Sequence, residues 1–250
     1  DNTLIGGLAG DAITTGSGNS AVGQGALTSN TTASYNTAMG HDSLGVNTTG
    51  SGNAALGYRS LYLNTTGANN TGVGYGALVY NTTASNNTAL GYNSLTANTT
   101  GYGNVAVGAL ALDANTDATN NTALGYAALS TNTTGVNNTA VGSASLNASS
   151  TASSNTAVGY ASLYANTTGA NNTAVGLSTL FYSTTGASNV AMGYRALYVN
   201  TTGSSNVALG ASALAANTTA SNNTAVGQSA LISNTTGAQN VSVGANALDA

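Results

Sequence analysis

The sequence contains no cysteine, proline, tryptophan, lysine or glutamate. Without cysteine there is neither a disulfide framework nor thiolate chemistry. Charged residues make up only 3% of the chain, two arginines against six aspartates, so there is no basic surface for nucleic acid. No apolar run approaches the about 18 residues that a membrane-spanning helix needs. The lack of proline and charge also argues against a disordered chain.

What the chain does contain is one phrase repeated every 17 residues. Asn138-Thr139-Ala140-Val141-Gly142 is a typical copy, and an Asn precedes the glycine by four residues in all fifteen copies. The anchoring glycines are Gly6, Gly23, Gly40 and every seventeenth residue thereafter to Gly244. A fixed short period of this kind is typical of a solenoid, in which each unit buries its apolar face against its neighbours.

The period and composition favour strands over helices. Helical repeats need more than about 30 residues for two helices and a turn, and Gly, Asn, Thr and Ser are poor helix formers. We therefore predict an all-β fold, a parallel β-solenoid (β-roll or β-helix) of about fifteen coils. The unbroken register predicts a single repeat domain over residues 1–250. Scarce charge fits this fold, because like charges would stack about 4.8 Å apart along a column.

Aligned repeats predict which side chains form the core. The aliphatic residue before each anchoring glycine, such as Val141, predicts a first core column. A leucine four residues after the glycine, Leu27 to Leu248 in fourteen of fifteen copies, predicts a second. By strand alternation, the alanine between Thr139 and Val141 is then expected to point outward. The Asn-Thr-Thr-Gly stretch, as at 64–67, predicts a turn.

Phrases such as Asn-Thr-Ala-Val-Gly-Tyr followed by Ala-Leu and Asn-Thr-Thr-Gly resemble the repeats of phage tail fibres, including those of marine cyanophages, and of bacterial surface fibres. More distantly, they are similar to the head repeats of trimeric autotransporter adhesins. The adhesin resemblance implies a left-handed β-roll and a trimer, although those heads repeat at about fourteen residues. The resemblance covers the whole chain and implies fibre architecture without a catalytic motif.

No catalytic, cofactor or metal site is predicted. His41 stands in a column that carries tyrosine in other coils, and there is no second histidine, no cysteine and no glutamate to complete a triad or a zinc site. Asp11, Asp113 and Asp249 share a column but are six and eight coils apart, so no two are expected to hold one ion.

Asn-x-Thr sequons are abundant, and they leave two interpretations open. Turns and amide ladders account for the asparagines, while an extracellular fibre would carry glycans on them. The candidate glycosylation sites of the Asn-Thr-Thr stretch are Asn64, Asn98, Asn132, Asn166, Asn200 and Asn234. A second series of sequons begins at Asn69, Asn86, Asn120, Asn137, Asn171 and Asn222.

Aromatic residues are unevenly distributed. Tyr164, Phe181 and Tyr198 fall in one column on three adjacent coils. Such a patch suits a glycan or a partner surface, or else packing between neighbouring chains.

These observations predict a non-enzymatic structural protein of an extracellular, cell-surface or virion fibre. The expected partners are other copies of the chain, as a parallel trimer or as a head-to-tail filament that continues after Ala250, and the chain is expected to be a processed product or fragment. No nucleic acid or membrane insertion is expected. A glycan- or receptor-binding adhesin shaft is the alternative, and ice binding through regular Asn and Thr columns is a third. The outward alanine column, Ala140, Ala157 and Ala174 among it, is the predicted contact surface.

Overall fold

The computed structural model describes residues 1–249, which contain fifteen strands of three residues and no helix. All strands are parallel, one per repeat. This confirms the predicted all-β solenoid with its 17-residue period. The strands are β1 (Thr3–Ile5), β2 (Ser20–Val22), β3 (Thr37–Met39), β4 (Ala54–Leu56), β5 (Thr71–Val73), β6 (Thr88–Leu90), β7 (Val105–Val107), β8 (Thr122–Leu124), β9 (Thr139–Val141), β10 (Thr156–Val158), β11 (Thr173–Val175), β12 (Val190–Met192), β13 (Val207–Leu209), β14 (Thr224–Val226) and β15 (Val241–Val243).

The coils group into two compact units. The first spans Asp1–Asn121 and holds β1–β7, and the second begins at Thr122 and holds β8–β15. Inside each unit, consecutive strands pair in exact 17-residue register, as with Thr3 beside Ser20 and Thr156 beside Thr173. Equivalent side chains of neighbouring coils therefore stack on one another. The predicted head-to-tail continuation after Ala250 lies outside the described residues.

The orientation of the strands corrects one prediction. The middle residue of each strand points inward, and Ala140, Ala157 and Ala174 are fully buried. The aliphatic residue before the glycine points outward instead, so Leu124 and Met192 are 46% and 45% exposed. The sequence correctly predicted that inward and outward residues alternate along the strand, but it assigned the wrong residues to the inward face. These alanines are core, so the predicted contact surface cannot be made from them.

The interior of the coil is too thin for a larger side chain at this position. At Gly72, which replaces the alanine in β5, an added Cβ would lie 2.5 Å from Ser60 Oγ and 3.3 Å from Leu61 Cγ. The leucine column from across the coil already fills the space. A second column of large residues facing the leucines would overpack the core. The strand therefore carries a small residue, such as alanine or glycine, at this inward position.

The second predicted core column is confirmed except at Leu248, which is 61% exposed in the last coil. Its leucines from Leu27 to Leu214 are fully buried, and Leu231 is almost so. Every one of them has a left-handed backbone, with φ between 49° and 55°. A β-branched residue is a steric outlier in this conformation. This explains why Val, which precedes the anchoring glycine in eight of the fifteen copies, never replaces these leucines.

The anchoring glycines are fixed for two reasons. Gly142 has φ +131°, a region closed to residues with a side chain. An added Cβ there would also lie 2.5 Å from the carbonyl oxygen of Gly159 in the next coil. Neither the backbone nor the stacking permits another residue.

Two columns of buried asparagine run through the coils. In the first, the backbone N–H of Asn155 donates to Oδ1 of Asn138 (3.0 Å), and its Nδ2 donates to the carbonyl oxygen of Gly169 (2.9 Å). Its own Oδ1 accepts the N–H of Asn172 (2.9 Å). In the second, Nδ2 of Asn64 donates to Oδ1 of Asn47 (2.8 Å). Amides of this kind link a coil to its neighbour and pair buried polar groups, although Ser149 and Ser183 interrupt the second column on either side of Asn166.

We expect Leu146→Ile to destabilise the second unit although it conserves volume. The substitution places a β-branched side chain at φ +49°, where backbone strain adds about 1 to 2 kcal/mol to the repacking cost. The matched control is Leu209→Ile, which lies in an outward strand position and should leave stability nearly unchanged. Thermal and urea denaturation measure both variants. Equal loss in the two would contradict the backbone argument.

We expect Asn155→Asp to lower stability in a pH-dependent way. The carboxylate cannot donate to Gly169, and burial raises the pKa of the new group above its unfolded value. The folded form then binds the proton more tightly, so the loss is smallest in acid and grows as pH rises through the folded pKa. Melting at about pH 3 and about pH 7 tests this. Asn171→Asp, at an exposed turn, is the control and should show no such dependence.

Candidate functional surfaces

The outward residues of the strands form one surface on each unit. We call it the strand-face strip; it consists of the first and third residues of β1–β7 in the first unit and of β8–β15 in the second. These positions carry Thr, Ser, Ala, Val, Leu, Ile and Met and no charged residue. Met39, Leu56 and Leu90 are all more than one-third exposed in the first unit, as are Leu124 and Met192 in the second. The strip is therefore a regular and largely apolar surface.

A ladder of tyrosine rings lies just after the anchoring glycines of the first unit. The ring centroids of Tyr58 and Tyr75 are 5.1 Å apart, and those of Tyr75 and Tyr92 are 5.5 Å apart, with nearly parallel planes. His41 continues the ladder at 5.6 Å from Tyr58, and its Nδ1 lies 3.2 Å from Oδ2 of Asp42. Its side chain is about half exposed, so it occupies a surface ring position as the sequence predicted.

The structure brings Tyr164, Phe181 and Tyr198 together in the second unit. Phe181 stacks on Tyr164 at 5.0 Å and lies 5.6 Å from Tyr198. Tyr182 packs edge-on against both Phe181 and Tyr198, and the guanidinium of Arg195 lies 4.5 Å above the Tyr198 ring. A hydrogen bond to Tyr198 raises the pKa of Tyr182. The rings of the predicted patch are thus largely occupied with one another.

A groove in the first unit was not found from the sequence. It runs across the coils anchored at Gly57, Gly74 and Gly91. It is lined by Tyr58, Arg59, Tyr75, Gly76, Val79, Tyr80, Asn93 and Thr96. The signal was present, because Gly76 lies in the column that carries Arg59 and Asn93 in the adjacent coils. A missing side chain between two long ones leaves a depression.

The two series of sequons lie in different environments. Asn64, Asn98, Asn132, Asn166 and Asn200 are fully buried in the second asparagine column, and only Asn234 is partly exposed. Nδ2 of Asn166, the atom that would carry a glycan, donates to the carbonyl oxygen of Gly169 (2.9 Å). The folded coil has no space for a sugar at those five. The second series, from Asn69 to Asn222, is exposed at left-handed turns.

The burial of the asparagine columns also affects the ice-binding prediction. Both asparagine columns are internal, so neither can contact an ice surface. Exposed side chains of both types recur elsewhere, for example Thr151, Thr168 and Thr185 in the turn after the asparagine, and the sequon asparagines from Asn69 to Asn222. Ice binding remains a prediction.

The acidic side chains do not form a metal centre in the described part of the chain, where no three His, Cys, Asp or Glu side chains lie together. Burial raises the pKa of Asp113, although a hydrogen bond from its own backbone acts in the opposite direction. Asp11 and Asp249 are exposed. Across residues 1–249 there is also no helix long and apolar enough to span a bilayer.

Comparison with known proteins adds no relative. No protein-family model matches the chain, and no curated protein matches its sequence. The fold therefore rests on the structure itself, and the resemblance to fibre repeats remains a prediction.

In a host that attaches N-linked glycans, we expect folded protein to carry them at exposed sequons such as Asn171 and not at Asn166. The Nδ2 of Asn166 is hydrogen-bonded inside the coil, so a glycan added there during synthesis would block packing. Peptide mass spectrometry of the soluble, folded fraction locates the sugars. Thr173→Ala removes only the Asn171 sequon and serves as the control. Occupancy of Asn166 in folded protein would contradict the burial argument.

Proposed function

We propose that the protein is a non-enzymatic structural component of an extracellular or virion fibre, which assembles by side-by-side contact of its coils. The strand-face strip is the observation that supports this proposal. Leu56, Leu90 and Leu124 expose 37%, 45% and 46% of their surface. Single exposed leucines are ordinary, but a continuous apolar array is a feature of surfaces that other molecules cover.

The chemistry of the strip suits a second copy of the same chain. The strip carries no charge, so identical surfaces meet without repulsion. Its residues recur at the strand spacing of about 4.8 Å, and two such arrays can therefore interdigitate along the coils of a unit. Burial of the exposed apolar area provides the driving force, at roughly 25 cal/mol per Å².

The position of the strip favours lateral association. It lies on the side of each unit's sheet, along the direction in which the coils stack, and not at the ends of the strands. A parallel bundle, of which a trimer is the simplest expected form, covers this surface. Stacking head to tail would leave it in water. An extracellular or virion location is part of the proposal.

The alternative function is an adhesin shaft that binds glycans. The groove beside the tyrosine ladder is the specific observation in its favour, and it is compatible with a fibre, since a shaft can both assemble and bind.

Replacing Val141, Val158 and Val175 together by Glu tests the assembly. The three substitutions place like charges about 4.8 Å apart on the strip, where repulsion and desolvation oppose association. We expect light scattering at micromolar concentration to show an oligomer for the unmodified chain and monomers for the variant, with a lower melting temperature in the variant.

The matched control replaces Thr151, Thr168 and Thr185 by Glu. These threonines belong to the same three coils and are exposed at a turn away from the strands, so the charge change is identical while the strip is intact. The control should remain oligomeric. A monomeric unmodified chain, or equal disruption by both triple variants, would refute assembly through the strip.

A further inference from the structure

We propose that the groove at Gly76 in the first unit binds a neutral pyranose sugar. The inference goes beyond the structural role and does not require assembly, because three consecutive coils of one chain form the whole groove. It is distinct from the Tyr164, Phe181 and Tyr198 patch.

The groove offers a free aromatic face. Tyr80 is 53% exposed and, among residues 1–249, has no aromatic ring packed on it. Its column neighbours Leu63 and Ala97 are not aromatic. The rings of Tyr75 and of the second-unit patch differ in this respect, since they are stacked or covered by others. The apolar face of a pyranose ring packs well on an uncovered tyrosine.

The groove passes over Gly76, which has no side chain, and the Asn93 amide lies against this glycine. Its backbone has φ +63°, and an added Cβ would collide with Oδ1 of Asn93. Val79 presents a short apolar side chain beside it. In the neighbouring coils the corresponding positions carry Arg59 with Tyr62, and Asn93 with Thr96. The groove therefore has its shortest side chains at the middle coil, between two coils that carry longer ones.

Polar groups with spare hydrogen-bonding capacity flank this space. The side-chain amide of Asn93 has no hydrogen-bond partner in the described chain, which leaves a donor and an acceptor available. Arg59 uses only Nε, at 3.5 Å from Oδ2 of Asp42, and its guanidinium is held 5.4 Å above Tyr58 and 5.0 Å above Tyr62. Its terminal nitrogens remain donors in a fixed position. Directed hydroxyls of a sugar match this set.

The charged residues beside the groove favour a neutral ligand. The carboxylate of Asp42 lies against Arg59 and against His41, so the cation is already balanced. An acidic sugar or a phosphate would meet this carboxylate next to the only arginine of the unit. Hydroxyl groups, which accept from Arg59 and donate to Asn93 Oδ1, carry no such penalty.

Titration of the unmodified chain with methyl glucoside, methyl galactoside and methyl mannoside tests the proposal. Saturation-transfer NMR and calorimetry are used, and sodium glucuronate is the acidic comparison. We expect at least one neutral glycoside to bind with a dissociation constant in the range of about 1 mM, and glucuronate to bind no better.

Tyr80→Ala removes the free ring, and Gly76→Asn fills the space. Asparagine is chosen because Asn93 already adopts a left-handed backbone in the same column at φ +48°, and the new side chain would displace the Asn93 amide from its place against Gly76. Each variant should weaken binding by about tenfold or more. Tyr102→Ala removes an equally exposed tyrosine of the same unit outside the groove and should bind as the unmodified chain does. Melting curves confirm that all three variants fold.

Three results would overturn the inference: no neutral glycoside binds, Tyr80→Ala and Gly76→Asn bind as well as the control, or glucuronate binds more than about tenfold tighter than every neutral glycoside. The titration is repeated with Val141, Val158 and Val175 replaced by Glu. Those substitutions lie in the second unit, so sugar binding should persist even when association is lost. Failure of the groove and failure of the assembly are thereby distinguished.

Discussion

Each side chain in a coil rests on the equivalent side chain of the next coil, and this one constraint governs the rest of the structure. A residue type can occupy a whole column only if its side chain packs favourably against identical side chains at the strand spacing of about 4.8 Å. Asparagine satisfies this condition because its amide both donates and accepts. Asn155 accepts from one neighbour and donates to another, and the first asparagine column repeats this bond from coil to coil inside each unit. Aspartate or lysine in that place would stack like charges.

The thin cross-section follows from the short period. Only three residues of each coil form a strand, and the largest fully buried side chains are the leucines of the left-handed turns. The alanine of a strand therefore points inward, and the larger residues of the strand, such as Val141, point outward. The apolar strip is in this sense a consequence of the narrow core. A chain built this way carries a row of aliphatic side chains on its outer face, which is the surface that the proposed assembly would cover.

Binding features arise where the repetition is interrupted. Gly76 between Arg59 and Asn93 opens a groove that regular coils do not have, and Tyr80 has no aromatic neighbour in its column. In the second unit the aromatic residues occupy adjacent coils, and Phe181, Tyr182 and Tyr198 pack on each other. The same residue types thus form a self-packed cluster when their columns are filled and an accessible site when a coil lacks a side chain.

The sequence by itself determined the period, the parallel solenoid and the leucine column, because a strict 17-residue register and a leucine at the Leu27 position in fourteen of fifteen copies have no other simple explanation. It did not determine which face of the strand is buried. Thr139, Ala140 and Val141 alternate correctly in either orientation, and hydrophobicity alone favoured the wrong one. Only the tertiary structure decided this, because the choice depends on how much room the leucine leaves across the coil. The same reason separates buried Asn166 from exposed Asn171, which are indistinguishable as sequons until the coil closes around one of them.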